Sequence, residues 1–146
     1  TSSEEKAAKA RGLGADEVIL YTEEDITDRV MELTDRRGVD VVVDHVGADT
    51  WPAASASMAP GGRYGICGVT SGYRAELQMG LLFLQNQTIL GVHMGRKEDL
   101  RQIVDLAAKG TVHAVIHQTF PLQDVARAHR MMEGRSFFGK LVLTVP

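Results

Sequence analysis

Apolar residues recur along this chain in short blocks whose spacing alternates between a helical and an extended rhythm. Ile26, Val30 and Leu33 fall at i, i+4 and i+7, the buried stripe of a helix that stops at Gly38. Leu100, Ile103, Val104 and Ala107 repeat the pattern in a second amphipathic helix, closed by Gly110. Between them, Val39-Asp-Val-Val-Val-Asp44 shows no polar alternation inside its ends. Such a β-branched run suits a strand buried on both faces, as in a parallel sheet. Glu17–Tyr21, Arg63–Cys67 and Thr88–Val92 read as three further short strands.

Boundary residues sharpen this outline. Ser3 ahead of Glu4 and Glu5 predicts a capped helix with an acidic first turn, running to about Arg11 and ended by Gly12 and Gly14. Thr22, with Asp25 three residues on, resembles a capping box before Ile26. Thr50-Trp51-Pro52 opens another helix with proline in its first turn, and Pro60-Gly61-Gly62 breaks it. Leu81–Leu84 is too short to classify. Beyond Gly110 the rhythm changes: His113–Phe120 reads as extended, Leu122–Glu133 as a helix and Lys140–Val145 as a terminal strand. The alternation up to that point predicts an α/β fold with right-handed crossovers, and a soft boundary near Gly110.

Composition narrows the class. At 146 residues the chain has the length of about one domain. With 44% hydrophobic and 24% charged residues it is no disordered chain. A net charge of −3 gives no ground for nucleic-acid binding. No apolar run approaches the roughly 18 residues of a membrane span, and TSSEEKAAKA does not read as a signal peptide. One cysteine, Cys67, leaves no intramolecular disulfide framework and no multi-Cys zinc site. The expected location is the cytoplasm. Because the chain opens on Thr1, directly in a helix start, it reads as a piece of a longer protein.

In open α/β sheets, ligands bind outside the carboxyl ends of the strands. Those ends are Tyr21-Thr22, Asp44–Gly47, Gly68–Gly72 and His93–Gly95, and three of the four carry glycine. Glycine also marks ordinary turns, but its repetition at equivalent places points to a binding edge. The dinucleotide fingerprint G-x-G-x-x-G is absent: Gly12-Leu-Gly14 continues as Ala-Asp-Glu and follows a helix. A phosphate cradle at a helix N-terminus would have to come from upstream. His113 and His117 lie about 13 Å apart on one face of an extended segment, too far to chelate one ion. His45 has no second ligand near it in sequence. Cys67, inside a strand, reads as a small buried hydrophobe rather than a nucleophile. Asp44 is an acid or base, or, more commonly for a strand-end Asp, the cap of the next turn. No catalytic residue and no metal ligand is assigned.

LGADEVILYTEEDI, VDVVVDHVGADTW, GGRYGICGVTSGY, QNQTILGVHM and FPLQDVARAHRMMEGRSFFGKLVLTV, in that order, resemble the medium-chain dehydrogenase/reductase superfamily. Its quinone oxidoreductase-like and zinc-type alcohol dehydrogenase branches are the most similar, and the resemblance spans essentially the whole chain. It implies a partial Rossmann fold, doubly wound with a mostly parallel sheet, over residues 1–110. Residues 111–146 would form a segment returning to a catalytic domain that this chain lacks. The implied chemistry is hydride transfer between NAD(P)H and a small alcohol or carbonyl, quinone or enoyl substrate.

The resemblance places Thr1 at the end of the second Rossmann strand, where NAD-preferring members keep an acidic residue. Here the position is neutral, and Ser3, Lys6 and Tyr21 resemble the NADP-preferring quinone reductases. A cation and two hydroxyls suit a 2′-phosphate that a carboxylate would repel. Val46-Gly47 and Gly68-Val69 resemble the strand-end segments along the adenosine and nicotinamide, and Lys140 matches a basic position near the pyrophosphate. Thr88–Val92 corresponds to an edge strand, which implies a homo-oligomer. Zinc ligands, in members that use them, belong to the catalytic domain, so none is assigned here.

The same resemblance raises a structural question. In the strand order 3-2-1-4-5-6, Glu17–Tyr21 and Val39–Asp44 are separated by two strands this chain does not contain, a gap of roughly 14 Å. A second copy, direct pairing of the two, or a remainder of the protein would have to fill it. The chain alone is expected to be catalytically inert. A rival reading is a non-enzymatic nucleotide-binding or structural module on the same fold.

Overall fold

Helix α1 (Glu4–Gly12) begins where its cap dictates, with Ser3 Oγ accepting from the Lys6 N–H at 3.4 Å. The computed structural model describes residues 1–146 as two units, Thr1–Met94 and Gly95–Pro146. Helix α2 (Ile26–Leu33) is capped by Asp25, which accepts from the Asp28 N–H at 2.9 Å. Thr22, expected to share in that cap, turns its hydroxyl to the Ser2 carbonyl instead. A carboxylate at the helix N-terminus also gains from the helix dipole, which a hydroxyl does not.

Three parallel strands follow in the order β1 (Val39–Asp44), β2 (Met58–Ile66) and β3 (Thr88–Gly91). Helix α3 (Trp51–Ala56), with Pro52 in its first turn, joins β1 to β2. Helix α4 (Met79–Leu84), the stretch left unclassified by periodicity, precedes β3. Pro60-Gly61-Gly62 does not end α3, which stops at Ala56. It forms a bulge inside β2, where the register runs from Val39↔Met58 to Val41↔Arg63. Gly61 N–H, freed from the ladder there, donates to the Gln85 carbonyl at 2.7 Å.

Further expectations fail in this unit. The β1 run is not buried on both faces: Asp44 is buried with Tyr64 of β2, but Val41 is 53% and Val43 77% exposed. Leu90 and Val92 continue that bare row at 47% and 53%. No element covers it, so the β-branched run keeps its strand propensity without its burial. Glu17–Tyr21, expected as a strand, forms no ladder. Its one extended pairing is with Thr1, whose nitrogen donates to the Ile19 carbonyl at 2.7 Å and whose carbonyl accepts from Tyr21 N–H at 3.1 Å, while Leu20 turns its backbone to Glu23 and Glu24. One residue cannot satisfy the backbone of a five-residue strand. Direct pairing with β1 is therefore not how the sheet is completed. Cys67 is also corrected: it lies just past β2 and is exposed, its thiol directed at the Asp44 carbonyl at 3.3 Å.

In the second unit, α5 (Lys97–Ala108) carries the expected stripe, yet Leu100, Ile103 and Val104 remain exposed. Strands β4 (Ile116–Pro121) and β5 (Lys140–Thr144) pair in parallel. Between them run a single 3-10 turn (Leu122–Asp124) and helix α6 (Val125–Glu133). Phe120 and Ala128 are buried in this unit, and the Arg127 guanidinium sits 5.6 Å above the Phe120 ring. Two parallel sheets with interspersed helices make an α/β fold of partial Rossmann-type topology, as the alternation predicts.

Candidate functional site: the carboxyl edge of the first sheet

At the end of β1 the chain must turn while its backbone leaves the ladder, and Asp44 supplies the missing acceptors. Its carboxylate accepts from Val46 N–H at 2.8 Å and Gly47 N–H at 3.1 Å, the self-capped turn expected of a strand-end Asp. The Tyr64 hydroxyl, reaching across from β2, donates to the same carboxylate at 2.8 Å. Thr50 Oγ1 lies 3.0 Å from both carboxylate oxygens and 3.1 Å from the Gly47 carbonyl, so its single proton is shared among them.

Burial alone would raise the pKa of Asp44. The donors at Val46, Tyr64, Thr50 and Gly47 outweigh it and hold the carboxyl below the usual aspartate range. Burial, and next the hydrogen bond and charge of Asp44, push the Tyr64 phenol far above its ordinary value. At physiological pH the pair is therefore carboxylate and neutral phenol. Trp51 packs its ring 4.9 Å from that of Tyr64 and donates from Nε1 to the Glu76 carbonyl at 2.7 Å.

A second strand-end segment is fastened onto the first. Ser71 donates to the Val46 carbonyl from both N–H (2.8 Å) and Oγ (2.9 Å), and its Oγ accepts from Asp49 N–H at 3.0 Å. Gly47 and Gly72 form an isolated parallel bridge. The approach is so close that a Cβ at Gly68 would stand 2.7 Å from the His45 carbonyl oxygen, and one at Gly47 2.9 Å from that of Gly72. These glycines are thus explained first by the packing of loop on loop. Beside this corner lies a cavity of about 230 Å³, lined among others by Asp44, Gly47, Val69, Gly72 and Arg74.

Of the residues singled out from sequence, the structure brings Val46, Gly47, Gly68 and Val69 into this one corner. Ser3, Lys6 and Tyr21 gather at another, around Thr1: Ser3 caps α1 at the Lys6 N–H, and Tyr21 N–H holds the Thr1 carbonyl. Lys140 opens β5 in the second unit and is exposed. Sequence reasoning missed Tyr64, Thr50 and Ser71. A tyrosine inside a predicted strand needs a partner for its hydroxyl, a signal that marks Tyr64 without naming that partner.

The family described as zinc-binding dehydrogenase matches over residues 13–143. The chain belongs to that family. A 2-haloacrylate reductase from Burkholderia sp is 33% identical over 153 aligned residues, covering 97% of this chain. A quinone oxidoreductase from Pseudomonas aeruginosa is 36% identical, again over 97% of the chain. This zinc-binding dehydrogenase chain spans 46% of the length of each. Among solved structures, an NAD-dependent alcohol dehydrogenase superposes with a TM-score of 0.90 at 39% identity, covering 100% of this chain and 43% of that one. Despite the family's description, the residues present here do not fit a zinc ion: no group of three or more His, Cys, Asp or Glu is placed to hold one. No helix is long and apolar enough to cross a membrane.

Proposed function

We propose that this chain is the C-terminal cofactor-binding part of an NAD(P)-dependent oxidoreductase. The enzyme transfers hydride between a nicotinamide and a small alcohol or carbonyl, quinone or enoyl substrate. The observation that carries the reading is the family match over residues 13–143, together with a glycine-lined corner at the carboxyl edge of the parallel sheet. In this reading residues 1–110 are the second half of the dinucleotide-binding domain and residues 111–146 return towards a catalytic domain. The enzyme is cytoplasmic. Val46, Gly47, Gly68 and Val69 lie along the adenosine and nicotinamide, and Lys140 serves the pyrophosphate. With no glycine fingerprint in its sequence, the 146-residue chain alone binds dinucleotide weakly and does not turn over.

The cofactor is NADPH. What supports this is the corner around Thr1, where no acidic residue stands at the end of the missing strand. The Ser3 hydroxyl, although it caps α1 as an acceptor, keeps its own proton to donate to a 2′-phosphate. Steady-state kinetics of the full-length protein test it. Lys6→Ala should raise the KM for NADPH about tenfold and leave that for NADH nearly unchanged. Equal losses for both cofactors, or a preference for NADH in the unaltered enzyme, would refute the assignment.

The enzyme is also a homo-oligomer joined through the Thr88–Val92 strand. β3 stands at the edge of its sheet. Val92 N–H donates inwards to the Ile66 carbonyl at 2.8 Å. By the alternation of a strand, Leu90 then also faces β2, while Ile89 and Gly91 turn their backbone groups outwards. Gly91→Pro removes one of those outward donors, and sedimentation should show a shift towards monomer. An unaltered protein that sediments as a monomer rules the interface out.

A further inference from the structure

We propose that Asp44, held by Tyr64, is a positioning residue that fixes the Val46–Gly47 turn against the Gly68–Gly72 segment in the shape a dinucleotide docks on. The inference rests on the functional reading above and adds to it a residue pair outside the docking surface itself.

The argument starts from how many donors converge on one carboxylate. Asp44 receives Val46 N–H, Gly47 N–H, the Tyr64 hydroxyl and a share of the Thr50 proton, and it is buried. Two of these donors belong to the turn that carries Val46 and Gly47. The other two come from β2 and from the start of α3. The carboxylate therefore ties the turn to both elements beneath it. The turn's outward carbonyl, Val46, is in turn held by Ser71, so the position of Asp44 is relayed to the neighbouring segment. Both the Val46 and the Gly47 N–H groups point at this one carboxylate.

Substitution breaks this arrangement in graded steps. Asparagine has one carbonyl oxygen where aspartate has two, and its NH2 would face donors, so at least one turn N–H loses its acceptor. Phenylalanine at 64 keeps the ring against Trp51 and removes only the hydroxyl. A turn freed in either way must be ordered again when the ligand binds, and that cost appears in binding.

The test is NADPH titration of the full-length protein, followed by the nicotinamide fluorescence, with the thermal midpoint measured in parallel. Asp44→Asn should raise the Kd about tenfold and Tyr64→Phe about threefold, while kcat at saturating NADPH stays within about twofold of the unaltered enzyme. Ala128→Gly, on α6 of the second unit, supplies a comparably destabilised control and should leave the Kd unchanged. Folded variants at 44 and 64 whose midpoints fall while the Kd stays constant would overturn the positioning role. Should Asp44→Asn not fold, Tyr64→Phe decides alone. An unaltered protein that binds neither NADPH nor NADH overturns the functional reading, and the proposal with it.

Discussion

On one face of the β1-β2-β3 sheet, Tyr64 and Asp44 are shut away beside Trp51 and Thr50. On the other, Val41, Val43, Leu90 and Val92 meet solvent. The buried face keeps a carboxylate among Val42, Tyr64, Ile66 and Ile89, while the open face leaves four large aliphatic side chains bare beside Arg63 and Thr88. Burial here follows from what the chain places on each face, not from side-chain hydrophobicity. The buried carboxylate is tolerable because it is satisfied by N–H and O–H donors. The apolar face leaves unused the stabilisation of roughly 25 cal/mol per Å² that covering it would bring.

The contrast predicts unequal responses to substitution. The largest is at Tyr64: Tyr64→Ala deletes a fully buried ring, leaves Trp51 without its neighbour and takes a donor from Asp44. The cost should be about 3–5 kcal/mol, read from urea unfolding. A loss below about 1 kcal/mol would mean that this face is not the core of the unit.

A smaller effect distinguishes the buried carboxylate from surface ones. The folded-state pKa of Asp44 lies below that of the unfolded chain. Its contribution is then fully present above the ordinary aspartate value of about 4, and is lost as pH falls through the lower folded value. Asp44→Asn should be less stable at neutral pH and show a shallower loss of stability on acidification below about pH 4. Parallel acid limbs in the two proteins would show that Asp44 gains nothing from its ionised form.

The smallest effect is expected across the sheet. Val43→Thr in the 146-residue chain should change stability by no more than about 0.5 kcal/mol, because the side chain is 77% exposed. The same substitution in a longer protein sharpens the comparison. If an upstream element packs there, Val43→Thr in that protein should cost more than 1 kcal/mol, the cost of placing a hydroxyl on a covered apolar surface.

How far the fold was legible varied with the range of the interactions involved. Helix α1 was readable because Ser3 caps it within its own first turn, and α3 because Pro52 fits only a helix start or a turn. The β1 and β3 strands followed from β-branched runs. The Glu17–Tyr21 strand did not form although its residues favour one, since a strand needs neighbours that local sequence cannot supply. Pro60–Gly62 reads as a break and folds as a bulge, because proline and glycine signal both and only the pairing with β1 tells them apart.

The sequence by itself determined most of the helices and strands, Glu17–Tyr21 and α4 apart, the α/β class, and the glycine-bearing strand ends where Val46, Gly47, Gly68 and Val69 stand. These depend on backbone preferences and spacings within a few residues. Only the tertiary structure decided that Tyr64 and Thr50 converge on Asp44, that Ser71 fastens the two strand-end segments together, and that one sheet face is bare. Each joins residues 6 to 25 positions apart, or concerns what lies across from a surface. The physical reason is that hydrogen-bond satisfaction and burial belong to the assembled packing, whereas propensity belongs to the residue and its near neighbours.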